Sequence, residues 1–214
     1  MRVLVACEES QTVCKAFREL GHEAYSCDLL PCSGGHPEWH IQDDVFNHIS
    51  SGWDLVLSFP PCTDLAVSGA AWFEKKRASG EQEASIRFFF NIWRHSHCVE
   101  NPVGILNSPK YTQKWFPLLH QEMMLYGFPF KPTQIIEPYY FGDAANKKTC
   151  LWLRDIPTLI HNPADYCEGS KYITSPSGRR YPEWCWNTGG GSGKKRSVTF
   201  PGIAKAMSNQ WSKL

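Results

Sequence analysis

Strand-like and helix-like segments alternate along this chain, and this alternation restricts the fold more than any other feature of the sequence. The apolar runs that predict β-strands cover residues 2–6, 23–27, 41–45, 54–58, 98–100, 133–137 and 149–153. The runs that predict α-helices cover residues 10–20, 84–93, 113–126 and 201–211. Such an alternation is typical of an α/β fold with a mostly parallel sheet and helices on both faces. The last two strands, with no clear helix between them, are predicted to close the sheet as a hairpin.

Length and composition are those of one globular domain. The 214 residues suffice for one full core, so residues 1–214 are predicted to form a single domain. Hydrophobic residues make up 42% of the chain and no apolar run reaches the length of a membrane span, so we expect a cytoplasmic protein without a membrane partner. Nine cysteines without a repeating framework should be mostly reduced there. The net charge of +1 neither indicates nor excludes nucleic-acid binding.

Two polar motifs follow predicted strands. Cys62 stands behind Pro60 and Pro61 after the fourth strand, and Glu100 and Asn101 end the fifth. Stiff loops at the carboxyl ends of strands are where α/β enzymes carry out chemistry. Taken alone, Cys62 is more simply a free cysteine in a proline turn and Glu100 a surface acid. Together they offer the nucleophile and the carboxyl group that are needed to attack and protonate a pyrimidine ring.

Pro60-Pro61-Cys62 and Glu100-Asn101 resemble the Pro-Cys and Glu-Asn signatures of DNA (cytosine-5) methyltransferases, and they occur in the same order. The likeness covers most of the chain, from residue 3 to residue 211, and is greatest to small phage-encoded proteins of this kind. It implies a single Rossmann-like methyltransferase domain that uses S-adenosylmethionine. The implied partner is DNA, duplex or single-stranded, or a cytosine nucleotide. A phage protein of this kind would work in the host cytoplasm.

The resemblance also implies a mechanism and its residues. The Cys62 thiolate adds to carbon 6 of cytosine while Glu100 protonates ring nitrogen 3, and carbon 5 then accepts the methyl group. Asn101 is expected to orient either Glu100 or the Pro60-Pro61 turn. Within duplex DNA, the base must first be flipped out of the stack. The further substrate contacts are expected from Pro61, Lys148 and Arg196, and a positive neighbour for the thiolate from Lys148 or Arg87.

The cofactor residues are predicted from the loops after the first three strands. Asp28 ends the second strand, where an acid bonds ribose hydroxyls, and Asp44 resembles the acid that binds the adenine amino group. Pro60 is expected beside the cofactor. The loop after the first strand contains no glycine, which departs from the family. Its Glu8 or Glu9 either pairs with the methionine ammonium group or, together with its neighbour, complements the dipole of the following helix.

Residues 161–196 are rich in proline, glycine and aromatic residues, and they are predicted to form a mobile substrate-facing loop instead of a recognition domain. Its tryptophans either stack on bases or cap the core. Two other functions therefore stay open, a pyrimidine-nucleotide methyltransferase and a decayed methylase fold that binds DNA or protein. The run from Cys27 to His40 contains two cysteines and two histidines at an unorthodox spacing, and we predict no metal there.

Overall fold

A seven-stranded sheet organises the protein. The computed structural model describes residues 1–187 and 196–213. The strands are β1 (Arg2–Ala6), β2 (Glu23–Asp28), β3 (His40–Gln42), β4 (Leu55–Ser58), β5 (Cys98–Pro102), β6 (Gln134–Ile136) and β7 (Thr149–Leu153), in the order β3-β2-β1-β4-β5-β7-β6. The first five strands are parallel, whereas β7 runs antiparallel to both β5 and β6. The strand order reverses between β1 and β4, and ligands of open α/β sheets bind at the carboxyl ends of strands at such a point.

Helices cover both faces of the sheet, as the sequence predicts. The helices are α1 (Thr12–Glu19), α2 (Phe73–Ala78), α3 (Glu81–Trp93), α4 (Pro109–Trp115), α5 (Pro117–Leu125), α6 (Glu183–Asn187) and α7 (Pro201–Trp211). Val3 and Val5 of β1 pack into one core cluster with α1 and α7, while Leu4 and Ala6 pack into the other with α3 and α5. Because alternate residues of a strand point to opposite faces, this central strand is buried on both sides.

The last helix, α7, returns to the beginning of the chain. Its Met207 and Trp211 are fully buried in the cluster that contains β1 and α1. The helix starts in a tight space, because a Cβ added at Gly202 would collide with the carbonyl oxygen of Phe141. The Gly202 N–H also donates to Asp143 Oδ2 at 2.8 Å. The start of α7 is therefore fixed against the segment that precedes β7.

The predicted hairpin of the last two strands is confirmed, because β7 pairs antiparallel with β6 and β6 forms the edge of the sheet. The structure differs from the sequence prediction elsewhere. The helix predicted over 113–126 is two helices, because Pro117 cannot continue α4 and begins α5. Within 161–187 the chain forms a hairpin of β8 (Tyr172–Thr174) and β9 (Arg180–Pro182), followed by α6. In the ranges 1–187 and 196–213, no helix is both long and apolar enough to cross a membrane.

Candidate active site

The segment that follows β4, residues 59–66, carries Cys62 and is called the Cys62 loop. Strands β4 and β5 pair in parallel with Ser58 opposite Val99, so Glu100 and Asn101 lie beside the start of this loop. Asn101 is only 1% exposed, and its Nδ2 donates a hydrogen bond to the carbonyl oxygen of Pro60 at 3.4 Å. Asn101 therefore holds the proline turn, which is one of the two contacts expected from the sequence. Pro60 itself is buried, Pro61 is exposed and Cys62 is partly buried.

Cys62 and Glu100 share an electrostatic environment. Burial raises the pKa of the Cys62 thiol, the cations of Lys147 and Arg196 oppose the rise, and the charge of Glu100 adds to it. Burial likewise raises the pKa of Glu100, against the attraction of Lys147 and a hydrogen bond with Thr149. The expected positive neighbourhood of Cys62 exists, but burial outweighs it and keeps the thiol protonated. Glu100 retains its proton to a higher pH than an ordinary carboxyl group, which suits a proton donor.

The cation at the centre of the site is Lys147. Its Nζ donates to the carbonyl oxygen of Arg196 at 3.2 Å, and its side chain lines a small pocket with Glu100 and Thr149. Lys148 is corrected as the positive neighbour of Cys62, because the cations that act on this thiol are those of Lys147 and Arg196, whereas the charge of the exposed Lys148 acts on Glu137. A substrate contact of Lys148 stays a prediction. Successive residues that enter a strand point to opposite faces, so neighbouring lysines are not equivalent.

Arg87 is also excluded as the positive neighbour of Cys62. Its guanidinium group forms ion pairs with Glu83 at 2.9 Å and with Glu122 at 3.1 Å. The Glu83 pair lies within α3 and the Glu122 pair joins α3 to α5, so both partners of Arg87 lie on these two helices. The cations that act on the Cys62 thiol are those of Lys147 and Arg196.

Arg196 reaches the site from the segment before α7. It is exposed, and its Nη1 lies 3.7 Å from Cys185 Sγ. Its backbone oxygen binds Lys147 while its charge acts on Cys62, so the structure brings this predicted substrate residue near Cys62. The sequence also offers Lys194 and Lys195 as basic neighbours of Arg196 that could meet phosphates, and both lie outside the described residues.

The aromatic residues of the C-terminal segment divide between two environments. The Trp184 ring packs edge-on against Phe200 at 5.4 Å, and its Nε1 donates to the carbonyl oxygen of Asn146 at 3.3 Å. Trp186 is exposed and lies 5.8 Å from Tyr181. Trp184 therefore caps the protein next to the site, whereas Trp186 keeps surface that is open to solvent.

Asp28 ends β2, and Asp44 follows β3 by two residues. Burial raises the pKa of Cys7, which follows β1, and the charges of both aspartates raise it further, so both carboxylates lie within electrostatic range of this thiol. One oxygen of each carboxylate accepts a backbone hydrogen bond, Asp28 from Leu30 at 2.9 Å and Asp44 from Phe46 at 3.0 Å. Each second oxygen remains oriented by these bonds and suits a hydroxyl or amino donor of a ligand.

Leu29, which directly follows Asp28, is 72% exposed, and sequence reasoning missed it. A large apolar side chain beside an oriented carboxylate offers contact to a planar ring whose polar edge the carboxylate binds. The signal was present in the sequence, since a leucine pair follows an acid directly after a strand.

Glu8 belongs to helix α1 and not to a ligand site. Its carboxylate is 4% exposed and accepts the backbone N–H of Val13 at 2.7 Å and of Cys14 at 3.1 Å. Of the two alternatives for Glu8, the structure supports the helix, and the prediction of a cofactor contact is corrected. The same bonds occupy two of the backbone N–H groups at the start of α1.

The loop between β1 and α1 takes glycine-like conformations without glycine. Cys7 and Gln11 both have φ of 59°, in the left-handed region that costs an ordinary residue about 1–2 kcal/mol. Gln11 is held there because its Nε2 donates to the carbonyl oxygen of His36 at 2.7 Å, while its Oε1 accepts the His36 N–H at 3.0 Å. Such strain concentrates at functional sites. This loop therefore makes the turn that a glycine-rich loop would make, although it contains no glycine.

Glu8→Gln tests the role of the buried carboxylate. Burial raises the pKa of Glu8 from its ordinary value to about 7, so the folded protein binds the proton more tightly than the unfolded chain. Stability is therefore full below the ordinary carboxyl pKa and falls as pH rises toward 7, by on the order of 3 kcal/mol. We expect Glu8→Gln to flatten this fall in urea unfolding between pH 4 and 8, with little change at pH 4. An unchanged pH slope would contradict the assignment.

Two other regions were candidates for a site, the run from Cys27 to His40 and a cleft beside α1, and neither includes the residues around Cys62. Within residues 1–187 and 196–213, no group of three or more His, Cys, Asp and Glu side chains is placed to hold a metal ion. In the Cys27 to His40 run, His40 is bonded through both ring nitrogens, to Ser26 and to the Leu30 carbonyl. A separate surface cleft of about 510 Å³ beside α1 is lined by residues that include Arg18 and Trp39, and it contains none of the predicted site residues.

A comparison of the sequence with protein-family models finds no matching family, and a comparison with curated proteins finds no match. A functional proposal for this chain therefore depends on its own residues and their geometry.

Proposed function

We propose that this protein transfers a methyl group from S-adenosylmethionine to carbon 5 of cytosine in DNA. The observation that carries the proposal is the junction of β4 and β5, where a partly buried thiol and a carboxyl group of raised pKa share the cation of Lys147. A nucleophile and a proton donor on neighbouring strand ends are the two groups that addition to a pyrimidine ring requires.

The environment of each residue of the site suits one step of the proposed reaction. Cys62 forms the bond to carbon 6, and Lys147 and Arg196 stabilise the thiolate that attacks. Glu100 gives its proton to ring nitrogen 3 as this bond forms, because its raised pKa keeps that proton available. Asn101 fixes the turn that carries Cys62. Addition makes carbon 5 nucleophilic, and loss of its proton after methylation allows the Cys62 thiolate to leave.

The residues at the carboxyl ends of β1 to β3 fit the nucleoside half of S-adenosylmethionine. Asp28 and Asp44 offer oriented carboxylate oxygens for hydroxyl and amino donors, and Leu29 offers apolar contact to a ring. The cofactor supplies an electrophilic methyl group when it is bound. Glu8 is excluded as a ligand of the methionine half because α1 uses its carboxylate.

A ligand-binding measurement on Asp28→Ala checks the cofactor residues. We expect the variant to bind S-adenosylmethionine at least ~10-fold more weakly by calorimetry, because hydrogen bonds to a charged group contribute about 1.5–3 kcal/mol. The unfolding free energy should change little, since Asp28 is only partly buried. As a control, Asp54→Ala removes an exposed aspartate before β4, and it should leave binding unchanged. Equal affinity of Asp28→Ala and the wild type would place the cofactor elsewhere.

A panel of substrates tests the reaction itself. Labelled S-adenosylmethionine is incubated with the protein and duplex DNA, single-stranded DNA or cytosine nucleotides, and the label in the product is counted. We expect label at carbon 5 of cytosine in DNA. Absence of transfer to every substrate, with no rise in melting temperature on adding the cofactor, would favour a decayed fold that only binds DNA or protein.

One observation favours the nucleotide-level alternative. Between β7 and α7, the part of the chain that the structure describes contains only a hairpin of three-residue strands, a five-residue helix and a 3₁₀ turn. A specific protein–DNA interface usually buries about 1,000–2,500 Å² of protein surface. Label that appears on cytosine nucleotides but not on DNA would select this alternative.

A further inference from the structure

We propose that Lys76 and Asp64 are positioning residues that clamp the Cys62 loop, an inference that rests on the proposed function of Cys62. Asp64 follows Cys62 by two residues, and its Oδ1 lies 2.6 Å from Lys76 Nζ on α2. The same Nζ donates to the carbonyl oxygen of Thr63 at 2.9 Å. One ammonium group thus binds the loop at two successive residues next to the nucleophile. We call this pair the Lys76–Asp64 clamp.

Helix α3 completes the clamp. Ser85 Oγ donates to Asp64 Oδ2 at 2.6 Å, and Gln82 Nε2 donates to the Asp64 carbonyl oxygen at 2.9 Å. Gln82 is fully buried, and its Oε1 accepts the hydroxyl of Tyr111 at 2.8 Å. Both carboxylate oxygens and the backbone oxygen of Asp64 are therefore engaged. The loop cannot move relative to α2 and α3 without breaking several of these bonds.

The ion pair between Lys76 and Asp64 is partly shielded from solvent, so it can contribute to holding the loop. The side chains of Lys76 and Asp64 are 15% and 23% exposed, well below the exposure of the Arg87 pairs. Burial opposes ionisation of Asp64, but hydrogen bonds from Lys76 and Ser85 outweigh it and lower the pKa of this carboxyl group. Solvent and salt screen such a pair less than they screen a fully exposed one.

The opposite side of the loop is held by the chain that follows β5. The Leu65 carbonyl oxygen accepts the Ile105 N–H at 2.9 Å, and the Val103 carbonyl oxygen accepts the Val67 N–H at 3.2 Å. A Cβ at Gly104 would collide with the Leu65 carbonyl oxygen, so the two segments touch at the backbone. Glu100 and Asn101 belong to this second side. The loop is therefore bound both to α2 and α3 and to the chain that follows β5, and we infer that these contacts together fix Cys62 relative to Glu100.

Lys76→Met tests the clamp through two readouts. In methyl transfer we expect kcat to fall ~10²-fold with KM little changed, because a misplacement of about 1 Å at a reacting group has an effect of that size. In alkylation by iodoacetamide, followed at each cysteine by mass spectrometry, we expect Cys62 to react roughly tenfold faster. A loosened loop exposes the thiol and lowers its pKa, which increases the thiolate fraction.

Three controls separate positioning from general destabilisation. Lys75→Met removes an exposed lysine of the same helix and should change neither readout. Lys76→Arg keeps the ion pair and should recover most of kcat. Cys98, which is fully buried in β5, reports global opening in the same alkylation experiment.

The clamp is refuted if Cys62 and Cys98 accelerate together, if Lys75→Met matches Lys76→Met, or if kcat and Cys62 alkylation both stay at the wild-type level. If the wild type transfers no methyl group, the proposed function fails. The alkylation of Cys62 relative to Cys98 then still decides whether the clamp exists.

Discussion

Cys62→Ser should abolish methyl transfer, lowering kcat by on the order of 10³-fold or more, since a serine hydroxyl ionises far less readily than a thiol. Affinity for S-adenosylmethionine should stay close to that of the wild type, because the thiol bonds only to the base. DNA that contains 5-fluorocytosine should form a covalent adduct with the wild type, since fluorine at carbon 5 cannot leave as a proton. The measurements are label transfer and the mass of the intact protein.

The matched control is Cys32→Ser, which changes a partly buried cysteine in the loop after β2. It should retain both activity and the fluorocytosine adduct, because Cys32 lies after a strand that does not carry the nucleophile. A Cys62→Ser variant that methylates at the wild-type rate would remove Cys62 from the mechanism. An adduct that forms on Cys32 instead would assign the nucleophile to a different loop.

Glu100→Gln should lower kcat by about 10²–10⁴-fold, because an amide can hydrogen-bond ring nitrogen 3 but cannot give it a proton. The same substitution should not lower the folding stability at alkaline pH, although it lowers kcat. Burial raises the pKa of Glu100, so the folded state binds its proton more tightly than the unfolded chain. The wild type therefore loses stability as pH rises from the ordinary carboxyl range through this raised pKa. Glu100→Gln lacks that loss and should equal or exceed the wild type in urea at alkaline pH.

The pH profile of activity supplies an independent check on Glu100. Wild-type kcat should decline as pH passes the raised pKa of Glu100, since the proton donor is then ionised. The residual activity of Glu100→Gln should lack this alkaline decline. Glu122→Gln, which changes a partly buried glutamate that pairs with Arg87, is the control and should keep the wild-type profile. An alkaline decline that persists in Glu100→Gln would transfer the donor role to another group.

Several parts of the fold follow from local sequence patterns alone. The bounds of β1 and β7 match the prediction because both are continuous apolar runs, as buried strands must be. The junction of the Cys62 loop with Glu100 was predictable too, since parallel neighbours end at the same edge. The division of the predicted helix into α4 and α5 could have been predicted from Pro117, although the helical pattern of the neighbouring residues concealed it. The hairpin of β8 and β9 could not be predicted, because strands of three residues are too short to show an alternation of apolar and polar residues.

The sequence by itself determined the α/β alternation, the positions of Cys62, Glu100 and Asp28 at strand ends, and the chemistry that these groups can perform. Only the tertiary structure decided that Lys147 and not Lys148 faces the site, that Glu8 serves α1, and that Lys76 holds the Cys62 loop. The physical reason is the range of each interaction. The pattern of neighbouring residues is enough to predict which side chains are buried and which elements they form. The partner of a charged side chain instead depends on the face of the backbone from which that side chain projects and on the distant segment that packs against this face.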